Sequence, residues 1–245
     1  MKSKDKSSTP KSIPSRDKSQ MTLSASKPFY DKKKLLLELT TIAFIIIMFG
    51  TALYVYPKLP DKIPTHWGAS GQPNGYSGKN GIFIIPIMYL IISILLFVLP
   101  LMEVFRENML KIYNSYYAFK IIFGVFFTVL FIATILPNFG YNINVSSIVI
   151  WMISLMFIGL GVILPKLKRN FMFGIRTGWT MSSDEVWDKT HKLGGILFIL
   201  LGVITILLLF MLPLQTLFFT FIILTVLVAI ILAFYSYYVY RKVKK

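Results

Sequence analysis

The 245-residue chain is 56% hydrophobic and only 15% charged, and its 26 Lys+Arg against 10 Asp+Glu give a net charge of +16. Soluble domains are about a quarter charged, so the chain lies outside that class; a disordered polyelectrolyte, whose apolar content is low, is excluded, and apolar residues that would overfill one core argue against a soluble nucleic-acid binder. An integral membrane protein with its basic residues gathered on one side reconciles a mean hydropathy of +0.69 with a pI near 9.9. The chain has no Cys, which removes disulfides, thiolate chemistry and Cys-based metal sites.

In chain order, residues 1–34 come first. The first 30 hold eight Ser, seven Lys/Arg and three Pro, with few large apolar residues. Such a composition cannot bury a core and predicts a disordered basic cytoplasmic tail over 1–34. No apolar run precedes the first long one, so no cleavable signal peptide is expected, and the first span acts as an anchor. Lys32, Lys33 and Lys34 are placed at the lipid headgroups.

A bilayer core of about 30 Å needs roughly 20 apolar residues per helix. Six stretches have that length: 35–56, 81–101, 116–136, 145–164, 193–213 and 215–240. None alternates with a period of two, so the fold class is all-α, a polytopic membrane protein with six transmembrane helices. The segments that alternate with these spans carry 23 Lys/Arg on one side, termini included, and 3 on the other. The positive-inside rule then puts both termini, including the basic end 241–245, in the cytoplasm of a plasma-membrane protein.

The organisation expected is two spans over 35–115 with an ordered external loop at 57–80, then four spans over 116–240 with a cytoplasmic elbow at 165–192. Inside the six stretches the ionisable residues are Glu38 and Lys120, each near a cytoplasmic end, where a long side chain can snorkel to water. A membrane centre without carboxylates, His or Arg argues against an ion-coupled pump. His66 lies in the external loop and His191 in the elbow, so a bilayer keeps them from sharing a metal. No metal, no cofactor and no catalytic set is expected.

The external loop combines Pro57, Pro60, Pro64 and Pro73 with an Asn74-Gly75 turn signal and the aromatics Trp67 and Tyr76. Stiff residues and aromatics together read as an ordered cap rather than a linker. Pro64, His66, Trp67, Gly71, Tyr76 and Lys79 are its candidate recognition residues, and anchoring in the aromatic belt is the competing reading.

In the elbow, Ser182-x-x-Glu185 fits a capping box, predicting a helix that starts near Ser183 and runs into the fifth span. Glu185–Lys189 and Asp188–Lys192 have the i,i+4 spacing of helix-surface ion pairs, while Val186 and Trp187 face lipid or the bundle. Arg176 sits between Gly174 and Gly178, a setting that suits a phosphate or carboxylate. The segment lacks the Lys-Ser/Thr ending of a P-loop, so nucleotide hydrolysis is not indicated. A membrane-surface elbow anchored by Arg and Trp is the alternative.

These two segments also carry a resemblance. Leu59-Pro-Asp-Lys-Ile-Pro-Thr-His66-Trp67, with Gly71 and Gly75-Tyr76-Ser-Gly-Lys79 after it, is similar to a small uncharacterised IPxHW-type domain of bacterial multi-span proteins. Asn170, Gly174-Ile-Arg176-Thr177-Gly-Trp179-Thr180 and the run Ser182-Ser-Asp-Glu185-Val-Trp187-Asp-Lys-Thr190-His191-Lys-Leu-Gly194 resemble the SdpI-type membrane proteins, across about 35–240. Gly178 departs from the Pro usual there, which loosens that turn. The resemblance implies a non-enzymatic immunity protein giving resistance to a secreted membrane-active peptide toxin. It also implies, in some systems, a receptor that sequesters a cytoplasmic repressor. Its implied partners are a peptide toxin or extracellular signal outside, the repressor inside and the lipid bilayer, with no direct nucleic acid. The alternatives are a small-solute transporter or channel and a membrane-bound enzyme acting on lipid or cell-wall precursors.

Overall fold

A computed structural model describes residues 28–244. Helix α1 (Lys32–Val55) leads into a hairpin of β1 (Lys62–Trp67) and β2 (Pro73–Gly78), then α2 (Ile84–Val98) and the short α3 (Arg106–Lys111). Helices α4 (Tyr113–Ile135) and α5 (Val145–Ile163), the five-residue α6 (Gly178–Ser182), α7 (Asp184–Leu209) and α8 (Leu214–Val243) follow. With their flanking turns, six segments among the described residues are long and apolar enough to cross a membrane. The fifth begins at Asp184 rather than at 193 and ends at Leu209, because the elbow's last residues are themselves helical. Many large apolar side chains, among them Leu36, Ile46 and Phe234, are exposed on the bundle's outside, which lipid tolerates and water does not.

Helices α5 and α7 share the most extensive contact, with α8 packed on α7, and α4 joining α5 to α1 and α2. The α5–α7 seam depends on small residues. A Cβ on Gly161 would lie 2.6 Å from the Gly195 carbonyl oxygen, and one on Gly202 would lie 2.5 Å from that of Ser154. Lipid gives helices no hydrophobic reason to associate, so close backbone packing holds this pair together.

The interior divides between the two ends of the bundle. Met48, Ile63, Ile82, Phe127 and Phe131 form one core below the hairpin. Phe29, Met109, Tyr113, Tyr116, Leu167 and Trp187 form the other, below the elbow.

The ordered loop expected at 57–80 is a two-stranded antiparallel hairpin, an addition to the helical plan. Lys62 pairs with Gly78 and Pro64 with Tyr76, and the register shifts on either side of His66. The expected disordered tail gives way to structure before residue 34. Asp31 caps α1 by accepting the Lys34 N–H at 2.9 Å, a bond that holds its carboxyl below the ordinary carboxylate range. Phe29 is buried against Tyr113, and Tyr30 stacks on Phe97. These aromatics order the last part of the expected tail. Residues 1–27, and the disorder expected there, lie outside the described residues.

Candidate functional site

The hairpin reaches over the bundle to the start of α5. Gly71 at its tip has φ +84°, and a Cβ there would collide with the side chain of Asn144. Asn144 is itself the N-cap of α5, accepting the Ser147 N–H, and the Ser146 hydroxyl donates to the Gly68 carbonyl at 3.2 Å. The tip is therefore clamped to a helix end. The strands then present His66 and Tyr76 outward, with Tyr76 61% exposed. His66 Nδ1 meets Asn74 Oδ1 at 2.5 Å, which fixes the imidazole across the strands. Trp67 and Pro64 are half-buried, and the half-buried Lys79 places its ammonium 5.4 Å from the Tyr56 ring.

The elbow at the opposite end is built on buried polar side chains. Asn170 accepts the N–H groups of Met172 and Phe173 and donates to the Lys168 carbonyl. The buried carboxylate of Glu103, ahead of α3, accepts the N–H groups of Phe105 and Phe171 at 2.9 Å each. Gly174 follows with φ +124°, where a Cβ would lie 2.6 Å from His191 Nε2. That imidazole is fully buried. Its Nε2 accepts the Ile175 N–H at 2.9 Å and its Nδ1 donates to the Trp187 carbonyl at 2.8 Å, so the ring is neutral with its proton on Nδ1. Trp187 stacks on it at 4.0 Å and donates its indole N–H to the Leu167 carbonyl at 3.0 Å. Both nitrogens of His191 are thus engaged in holding the loop.

Helix α6 closes the elbow onto α8. Thr177 and Thr180 cap each other reciprocally, the Thr177 hydroxyl meets Ser236 at 3.1 Å, and Trp179 packs on Tyr237. The capping box expected at Ser182 and Glu185 is therefore replaced by one at Thr177. The Ser182 hydroxyl donates back to the Trp179 carbonyl, and Ser183 caps α7 without a side-chain bond. Glu185 and Lys189 pair at 2.7 Å as expected. Asp188 turns to Lys168 at 3.6 Å instead of Lys192, because the elbow folds back beside α7.

The predicted elbow residues thus separate by role. Asn170, Thr180, Trp187, Thr190, His191 and Gly194 are buried; a Cβ on Gly194 would collide with Ile175. Arg176, Ser182 and Glu185 are exposed, and the Arg176 guanidinium bends back to donate to the Phe171 carbonyl. His66 and His191 stand at opposite ends of the bundle.

Two sets of polar residues were not legible as site residues. One is Glu103 with Asn108, whose amide donates to the Arg169 carbonyl at 2.8 Å. The other corrects the expectation that Glu38 and Lys120 snorkel to water. Lys120 is 2% exposed and Glu38 6%, and they form a direct ion pair between α1 and α4, with the Tyr113 hydroxyl donating to Glu38 at 3.2 Å. Opposite charges at similar depth in two otherwise apolar spans were the signal that would have found them.

Comparison with known proteins matches two regions of the chain. Residues 166–236 match the SdpI/YfhL protein family, and residues 43–90 match a domain of unknown function, DUF1648. The chain is similar to "Immunity protein SdpI" of Bacillus subtilis, 24% identical over 202 residues, which cover 82% of this chain and 95% of that one. It is also similar to an uncharacterized protein of Archaeoglobus fulgidus, 36% identical over 69 residues, 28% of this chain and 37% of that one. No solved structure matches. The chain accordingly has the six apolar helices of a multi-pass membrane protein and carries two family regions, the SdpI/YfhL region running from the elbow into α8 and the DUF1648 region running from the middle of α1 through the hairpin into α2.

Proposed function

We propose that the chain is a non-enzymatic immunity protein of the bacterial plasma membrane, with both termini cytoplasmic. In this reading the hairpin faces outward and receives a membrane-active peptide toxin or a related signal. The observation that carries it is the similarity to an immunity protein along 95% of that protein's length, which spans the hairpin and the elbow alike. Two features support the division of labour. The hairpin is clamped at its tip and offers His66, Trp67 and Tyr76 on a fixed frame, which suits recognition with little ordering cost. The elbow is held by buried bonds and leaves Arg176 exposed, a cation placed for a cytoplasmic partner such as a repressor.

Expression in a Bacillus subtilis strain lacking its own immunity protein, followed by challenge with the cognate toxin, tests the reading. Survival above the empty-vector control is expected. Unchanged killing with the chain demonstrably in the membrane would remove the immunity assignment.

A further inference from the structure

A cavity of about 200 Å³ opens at the elbow end between the start of α1, the end of α3 and the start of α4. Its polar wall is Asp31, Lys33, Lys34, Lys111 and Asn114, with Tyr113 at its floor. The charges are not equivalent. Lys34 is spent within the fold: its ammonium donates to the Phe29 carbonyl at 2.8 Å, lies 3.6 Å from Asp31, and sits over the rings of Phe29 and Tyr113. Asp31 is thereby neutralised. Lys33 and Lys111 are exposed and have no carboxylate within ion-pair distance among the described residues, so the cavity carries two uncompensated positive charges.

We propose that this cavity binds the phosphate of an anionic phospholipid, with Lys33 and Lys111 as its cationic walls and Asn114 as a further hydrogen-bond donor. Two observations point to the headgroup source. The cavity lies where two membrane-spanning segments, Lys32–Lys58 and Tyr113–Phe139, both begin, at the depth of a headgroup. Directly beyond it α1 exposes Leu36 and Leu39, an apolar face along which acyl chains can run. The volume also admits a tetrahedral anion with some of its water. The floor adds a consequence: Tyr113 also donates to Glu38, so an occupied cavity abuts the side chain that holds the buried ion pair.

The test uses the full chain in detergent, with lipid binding read by native mass spectrometry and inorganic phosphate binding read by calorimetry. Phosphatidylglycerol is expected to bind, and phosphatidylcholine to bind more weakly. The double variant Lys33→Gln, Lys111→Gln should weaken phosphatidylglycerol binding about tenfold or more. Lys33→Arg, Lys111→Arg should retain it. The control Lys242→Gln, Lys244→Gln removes the same charge from the end of α8 and should leave binding unchanged. Binding of inorganic phosphate alone, lost in the same Lys33, Lys111 variant, would support the anion cavity but assign it to free phosphate. Equal loss in the control, or no loss in the Lys33, Lys111 variant, would overturn the proposal.

Discussion

Gly174 and Gly178 stand four positions apart in one loop, yet they answer to different constraints. Gly174 occupies a left-handed conformation at φ +124° with His191 Nε2 where a Cβ would go, so any side chain there meets both strain and collision. Gly174→Ala is expected to lower stability by about 2 kcal/mol or more, measured as a fall in the thermal midpoint of the detergent-solubilised chain. Gly178 is the first residue of α6; nothing lies within 4 Å of where its Cβ would sit, and the preceding Thr177 is already extended at φ −111° and ψ 163°. A first helical position has no intrahelical use for its N–H, and an extended predecessor tolerates the proline ring. Gly178→Pro should therefore raise stability by about 0.4–1 kcal/mol, in the same assay. The looser turn expected from Gly178 is thus a difference in the unfolded chain as much as in the folded one.

At the scale of elements, the ion pair of Glu38 and Lys120 ties α1 to α4 inside otherwise apolar spans. Removing one partner leaves the other charge buried alone, so Glu38→Gln or Lys120→Met singly should cost about 3–5 kcal/mol. The double variant should cost clearly less than the two singles together, because it strands no charge; additivity in the thermal unfolding of the four proteins would argue against a coupled pair. The six spans were legible in the sequence because an apolar run of sufficient length has few alternatives in a bilayer. Pairing across spans was not legible, since it depends on which helices become neighbours. The start of α7 shows a similar limit: Ser182 fits a capping pattern, but its hydroxyl is taken by the Trp179 carbonyl once α6 forms. The hairpin was legible as order and not as strands, because its prolines and glycines obscure any alternation.

For the whole molecule, the arrangement is a small-residue seam through the bundle with a built structure at each end. The hairpin's aromatics and the elbow's Arg176 motif were visible from their unusual composition. What the structure adds is the separation of elbow residues that hold the loop, such as Asn170 and His191, from those left accessible, such as Arg176. Sidedness is directly testable, because the chain has no Cys and any introduced one is a unique label. Cysteine at Tyr76 should react with a membrane-impermeant maleimide in intact cells, and cysteine at Arg176 only after permeabilisation. The reverse pattern would invert the proposed topology.

Toxin survival of cells carrying the Trp67→Ala, Tyr76→Ala variant tests the central claim most directly, with membrane abundance matched to the parent chain. If the hairpin receives the toxin, the parent chain protects and the variant loses at least about tenfold in tolerated toxin, the scale of one lost aromatic anchor. Equal protection by the two chains would contradict recognition at the hairpin, and no protection by the parent would contradict immunity itself.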